Sequence, residues 1–88
     1  MDRRLAVIHD NSHNSHRAIK YVESKGIEPL LIDSTDLYNQ QFVRSHRIYG
    51  VPVTVILLEA NYEQGRRVLG FQCMELDKII EEYLELNN

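Results

Sequence analysis

The sequence predicts one α/β domain over residues 1–88, with the element order βαβαββα and a three-layer α/β/α sandwich. Short, continuous apolar runs rich in β-branched residues indicate strands, and apolar residues at helical spacing between these runs indicate helices. The length of 88 residues supports a single small core. Each element follows from its own local pattern.

The first strand is predicted at about residues 4–9, where the continuous apolar run is typical of a strand buried on both faces. The first helix is predicted at about 13–25, after the polar segment 10–15. Ser12 is a suitable N-cap, because its hydroxyl accepts a hydrogen bond from a free N–H of the first turn. Helical spacing turns Ser15 inward and leaves Ser12 at the exposed tip.

A second buried strand is predicted at 30–33, and a helix between two such strands implies that they pair in parallel. A second helix is predicted at about 36–46, with Ser34 or Thr35 as its cap. Its apolar positions are loosely spaced: Leu37, Tyr38, Phe42 and Val43.

The run 51–58 predicts a third strand that begins near Pro52, which lacks an N–H and suits a first strand residue. A polar loop is predicted at 60–65, and a short fourth strand at 66–69 returns as its hairpin partner. A last helix is predicted at about 74–86. Its apolar stripe consists of Leu76, Ile79, Ile80, Tyr83 and Leu84.

Charge is unevenly distributed along the chain. The net charge is −3, of which residues 75–88 carry −4 and the remainder +1. There is no basic stripe, so a nucleic-acid partner is not expected. No apolar run approaches the ~18 residues of a membrane span, and the N-terminal run is too short for a signal peptide. We therefore expect a cytoplasmic protein that does not bind membranes.

Three motifs together resemble the thioredoxin-fold family, most closely its glutaredoxin and small redoxin branch. At the start of the first helix stands Ser12-His13-Asn14-Ser15, where the family has Cys-x-x-Cys. The segment Ile48-Tyr49-Gly50-Val51-Pro52-Val53-Thr54 resembles the family's cis-proline segment. Before the closing helix stands Leu69-Gly70-Phe71, which resembles the family's Gly-Phe step.

The resemblance implies a mixed four-stranded sheet with cis-Pro52 beside the first-helix loop. It implies that Ser12 and Ser15 occupy the positions of the catalytic cysteines in a redox-active centre for thiol–disulfide electron transport. It also implies that a partner protein is bound by a set of groove residues: His13, Val51, Pro52, Gly70 and Phe71.

Glutathione is a less suitable partner than a protein. The glutathione-using members carry a lysine where this chain has His9, and Gly-Gly-Cys-Asp-Asp where it reads Phe71-Gln72-Cys73-Met74-Glu75. We expect a monomer without a cofactor that holds a protein, or a protein disulfide, beside Pro52.

Serine at positions 12 and 15 removes the family's chemistry. Thiol–disulfide exchange needs a thiolate that attacks a disulfide sulfur, and one cysteine, Cys73, cannot form an internal disulfide. Whether the chain acts as an enzyme therefore stays open, and dithiol–disulfide exchange is not expected of it. Two explanations remain: a naturally redox-dead binding module, or an oxidoreductase whose cysteines were replaced by engineering.

Other chemistry has simpler alternatives in the sequence. We weigh Ser12 as a hydrolytic nucleophile against Ser12 as an N-cap. We weigh a metal site made of His9, His13, His16 and Cys73 against solvent-exposed loop histidines. Cys73 as a reactive single thiol is weighed against an inert, partly buried side chain. No metal is expected.

Basic and aromatic side chains suggest a groove lining. The residues that would draw acidic partners are Arg17, Lys20, Arg44 and Arg47, with ordinary helix surface as the alternative. The aromatic residues expected in the core or groove wall are Tyr38, Phe42, Tyr49 and Phe71.

Overall fold

The computed structural model describes residues 3–58 and 62–87. It is an α/β fold with a mixed four-stranded open sheet and three α-helices. The strands are β1 (Arg4–His9), β2 (Leu30–Asp33), β3 (Val53–Leu58) and β4 (Tyr62–Leu69). The helices are α1 (His13–Ser24), α2 (Gln40–Ser45) and α3 (Cys73–Leu86), and a 3₁₀ turn at Leu37–Asn39 precedes α2.

The sheet has the strand order β2-β1-β3-β4. β1 pairs in parallel with β2, as predicted, and antiparallel with β3, where Ile8 lies opposite Val53. β3 pairs antiparallel with β4, where Val53 lies opposite Leu69. The carboxyl ends of β1, β2 and β4 and the amino end of β3 therefore lie along one edge of the sheet, called the upper edge below.

Both faces of the sheet are covered, which explains the continuous apolar run of β1. Leu5 and Val7 pack with α1 and α3 on one face, and Ala6 and Ile8 pack with the α2 region on the other. Alternate residues of a strand point to opposite faces, so a strand that is covered on both sides is apolar throughout. The prediction of a buried first strand is confirmed.

The prediction that the second strand is buried is wrong. β2 is an edge strand, and the Leu31 side chain is 47% exposed. A short apolar run does not distinguish a central strand from an edge strand, because the covering elements lie elsewhere in the chain.

The second helix is shorter than predicted and is capped differently. The Asp36 carboxylate, rather than Ser34 or Thr35, caps the 3₁₀ turn by accepting the Tyr38 N–H at 3.0 Å. The α-helix begins only at Gln40. Asp competes well for such N–H groups and favours a tight turn over a regular helix. Leu37 and Tyr38 are consequently exposed rather than buried.

The fourth strand is longer than predicted. It begins at Tyr62, so 62–65 are not a loop, and residues 60–61 of the predicted loop lie outside the described residues. Gly65, with φ 76°, lies within the strand where the β3–β4 register shifts between Thr54 and Ile56. Glycine often marks such a bulge in a strand.

The α3 stripe is confirmed for its central residues only. Leu76, Ile79 and Ile80 are buried in the core and Tyr83 is partly buried, but Leu84 is exposed. Within the described ranges, no helix combines the length and the apolar character needed to cross a membrane.

Candidate functional site

The loop from β1 to α1 places Ser12 and Ser15 at the upper edge. Ser12 is the N-cap of α1, and its Oγ accepts the Ser15 N–H at 3.3 Å, as predicted. Ser15 is fully buried and so faces inward, whereas Ser12 is half-buried rather than an exposed tip. The N-terminal end of a helix thus presents one accessible hydroxyl and one enclosed hydroxyl.

Asp10 joins the two serines in a closed hydrogen-bond network. Ser12 Oγ donates to Ser15 Oγ at 3.1 Å, and Ser15 Oγ donates to Asp10 Oδ1 at 3.0 Å. Ser15 Oγ also accepts the Asp10 N–H at 3.4 Å, which occupies its donor and both acceptor positions. This saturation explains how a hydroxyl is tolerated in a fully buried position.

The network makes Asp10 a strong acceptor rather than a base. Hydrogen bonds from Ser12, through its side chain and backbone N–H, and from the Ser15 side chain lower the pKa of Asp10 below its ordinary value of 3.8. The Ser12 N–H lies 3.0 Å from Asp10 Oδ1. From the sequence, Asp10 or Asp33 could serve as the acid for a nucleophilic Ser12, but nothing there singles out Asp10 as the partner of both serines.

A second aspartate supports the loop from β2. Asn11 has φ 65° and donates from its side chain to Asp33 Oδ2 at 3.3 Å. Hydrogen bonds from the Thr35 side chain and N–H are the main cause that lowers the pKa of Asp33. Since Asp33 lies opposite His9 in the β1–β2 register, the ends of both strands fix the turn that leads to Ser12.

Pro52 lies at the same edge of the sheet. The Val51–Pro52 peptide bond is cis, and Pro52 directly precedes Val53, which pairs with Ile8. The Gly70 N–H donates to the Pro52 carbonyl at 2.7 Å. Three of the predicted partner-binding residues, Val51, Pro52 and Gly70, are thereby brought together.

These residues line an open groove of about 480 Å³. Its wall is mainly apolar and includes Ile48, Tyr49, Val53 and Leu69, together with Arg47 and Arg67. Among the residues that the structure describes, the Val51 N–H and C=O have no hydrogen-bond partner. Ser12 and His13 are not part of the groove wall.

Phe71, the residue after Gly70, lies against α1. Its ring packs edge-on against Tyr21, with 6.0 Å between the ring centres, and the Arg17 guanidinium lies 4.4 Å from the Phe71 ring centre. Phe71 therefore connects the end of β4 to the helix that carries Ser12. His13 is exposed on the first turn of the same helix.

Arg67 was not predicted as a groove residue, yet it fixes one wall. It donates to the His46 carbonyl at 2.7 Å and to Glu63 Oε2 at 2.8 Å, and His46 Nδ1 lies 3.2 Å from the same carboxylate oxygen. Burial raises the pKa of Glu63, but hydrogen bonds from Arg67 and His46 outweigh it and leave the pKa lowered. The network ties the end of α2, and hence the groove wall that follows it, to β4.

Only some of the basic and aromatic residues predicted to line the groove do so. Arg47 lines the groove and Arg17 lies on Phe71, whereas Lys20 and Arg44 are outside the groove wall. Tyr49 forms groove wall, Phe42 and Phe71 pack on the core, and Tyr38 does neither.

The structure favours Ser12 as an N-cap over Ser12 as a hydrolytic nucleophile. The Ser12 hydroxyl donates to Ser15, and no histidine of residues 3–58 and 62–87 hydrogen-bonds to it. Within those same residues no group of three or more His, Cys, Asp or Glu side chains is arranged to hold a metal ion. Cys73 is exposed, not partly buried as the simpler alternative had it.

Comparison with known proteins does not assign this chain to a family. A scan against protein-family models found no match, and a search of curated proteins found no similar sequence.

Proposed function

We propose that this chain is a redox-inactive thioredoxin-fold protein of the glutaredoxin and small redoxin type, which holds an extended protein segment in the groove beside Pro52. The observation that carries the proposal is the Ser12–Ser15 hydroxyl pair at the start of α1, at the same sheet edge as that groove. The fold class and the three sequence motifs are compatible with this assignment.

The two hydroxyl groups are in direct contact. Their oxygen atoms are 3.1 Å apart. Thiols at these positions would therefore be close neighbours at the start of α1, as the two partners of a disulfide must be. This observation also favours the alternative that positions 12 and 15 belong to a thiol–disulfide oxidoreductase in which serines replace both cysteines.

As the chain stands, the pair is inert towards disulfides. Reduction of a disulfide transfers two electrons from two thiolates, which end as a new disulfide. Serine hydroxyls do not form that bond, and the single thiol of Cys73 supplies only half of the requirement. The groove is then the functional part that remains.

The groove suits an extended polypeptide better than a rigid small molecule. It is open and mainly apolar, and its wall includes Val51, whose N–H and C=O have no hydrogen-bond partner among the described residues. An extended segment can pair its backbone with such groups while one of its apolar side chains fills the space next to them.

A peptide selection tests this proposal. The purified protein would be the bait for a library of random 12-residue peptides displayed on phage. The variant Gly50→Leu, whose groove should be blocked, would be used as bait in parallel. Gly50 lies in the groove wall and a Cβ there meets nothing within 4 Å, so the fold has room for a side chain at this position. Gln41→Leu adds the same side chain at an exposed α2 position outside the groove wall.

We expect peptides that are enriched by the unmodified protein and by Gln41→Leu but not by Gly50→Leu. Equal enrichment on all three proteins, or none on the unmodified protein, would overturn the proposed binding function.

A further inference from the structure

The charges around the groove indicate which kind of segment it holds. Among the residues that the structure describes, the charged ones in its wall are Arg47 and Arg67, and Glu63 already pairs with Arg67. Arg67 also directs its N–H groups at the His46 and Arg47 carbonyls. Arg47 therefore contributes the free positive charge on the α2 side of the groove.

A second arginine lies near the end of β4. Arg17 of α1 lies on the Phe71 ring, next to the groove residue Gly70. Among the described residues, neither Arg17 nor Arg47 pairs with a carboxylate. The two arginines thus come from elements that cover opposite faces of the sheet: Arg47 lines the groove after α2, and Arg17 of α1 lies on the residue that follows Gly70.

The aspartates at the upper edge do not neutralise this arrangement. Asp10, Asp33 and Asp36 each accept a backbone N–H two residues ahead in their own loops. None of the three lines the groove. The acidic surplus of the chain lies instead in residues 75–88.

We infer that the segment bound in the groove is acidic, with an apolar anchor beside Pro52 and carboxylates on either side that pair with Arg47 and Arg17. This inference rests on the proposed binding function and specifies the chemistry of its partner. Complementary charge at the rim of an interface selects partners and speeds their encounter, while the apolar contact supplies most of the affinity.

The test repeats the peptide selection with charge variants. R17Q/R47Q removes both charges, R17K/R47K keeps them, and R4Q removes one positive charge at an exposed residue at the opposite end of β1. Circular dichroism establishes that each variant is folded before selection.

We expect Asp and Glu to be enriched around an apolar residue with the unmodified protein, R17K/R47K and R4Q, but not with R17Q/R47Q. For a synthetic peptide of the enriched sequence, R17Q/R47Q should weaken binding roughly 3- to 10-fold, as two exposed ion pairs would. Replacing the peptide's own Glu and Asp by Gln and Asn should weaken binding equally and add little to the effect of R17Q/R47Q.

Failure of this inference and failure of the proposed function give different results. Groove-dependent peptides without an acidic excess, or an equal loss with R4Q, would overturn the inference and leave the proposed function standing. Absence of any enrichment sensitive to Gly50→Leu would overturn both. Sedimentation that shows a dimer of the unmodified protein, lost in R17Q/R47Q, would assign the arginines to a second copy of the chain instead.

Discussion

The Ser12 hydroxyl donates to the Ser15 hydroxyl across 3.1 Å, and the Ser15 hydroxyl donates in turn to Asp10 Oδ1 at 3.0 Å. The two serines together therefore fix the first turn of α1. Such a network replaces solvent around a fully buried hydroxyl and fixes the loop relative to β1. Its contribution to stability can be measured residue by residue.

Removal of either serine hydroxyl should destabilise the protein. Ser12→Ala removes the helix cap and should cost about 1 kcal/mol of unfolding free energy, and Ser15→Ala a similar amount. The double variant should lose less than the sum, because the two share one hydrogen bond. Urea unfolding measures this, with Ser45→Ala at an exposed site expected within about 0.5 kcal/mol of the parent. Full additivity would contradict the coupling.

Asp10 should stabilise the fold in a pH-dependent manner. Its pKa is lowered by hydrogen bonds that the unfolded chain lacks, so the folded state binds its proton less readily. The stabilisation is present above the ordinary value of 3.8 and is lost as pH falls through the lower folded pKa. The difference in unfolding free energy between the parent and Asp10→Asn should therefore shrink on acidification below 3.8. A difference that is constant with pH would contradict the network.

The two neighbouring arginines of β4 should differ in their contribution to the free energy of unfolding. Arg67 pairs with the mostly buried Glu63, so Arg67→Gln should cost roughly 1–3 kcal/mol, as expected when a hydrogen-bonded charge loses its partner. Arg66 pairs with the more exposed Glu75 and Glu82, so Arg66→Gln should cost less than about 1 kcal/mol. Denaturant titration of both variants tests the ranking, and equal losses would count against the role of Arg67 in the groove wall.

Tyr21 should ionise late in an alkaline titration. Its hydroxyl donates to Asp77 at 2.6 Å, and this bond, with burial and the Asp77 charge, raises its pKa to about 12 from 10.0. The folded state keeps this proton longer than the unfolded state, so the stability that it provides is lost as pH rises from 10 towards 12. Absorbance at 295 nm should show a late component that Tyr21→Phe removes and Tyr38→Phe leaves intact. Its persistence in Tyr21→Phe would refute the assignment.

The order and type of the main elements follow from local patterns in the sequence. β1, a continuous apolar run, and α3, whose apolar residues have helical spacing, appear nearly where expected. The errors occur where tertiary context decides: the run at β2 reads as buried although only one side of that strand has a neighbour. Likewise, Gly65 suggests a turn, whereas the fold uses it at an irregularity inside β4.

The site was only partly predictable for a related reason. The spacing of Ser12 and Ser15 and the Val51–Pro52 step are local signals, and the sequence displays them directly. Asp10 and Arg67 act through contacts that depend on the folded loop and on the approach of α2 to β4. No sequence spacing indicates such contacts, since their partners are brought together only by the sheet.

The most direct test of the central claim places thiols at positions 12 and 15. Ser12→Cys/Ser15→Cys, made together with Cys73→Ser, would be titrated in dithiothreitol redox buffers beside the parent and Cys73→Ser alone. If the loop is a thiol–disulfide scaffold, the double cysteine protein shows a reversible two-electron transition near −270 to −200 mV, and the two controls show none. A folded double cysteine protein that forms no internal disulfide, or one far outside that range, would contradict the claim that the loop is a thiol–disulfide scaffold.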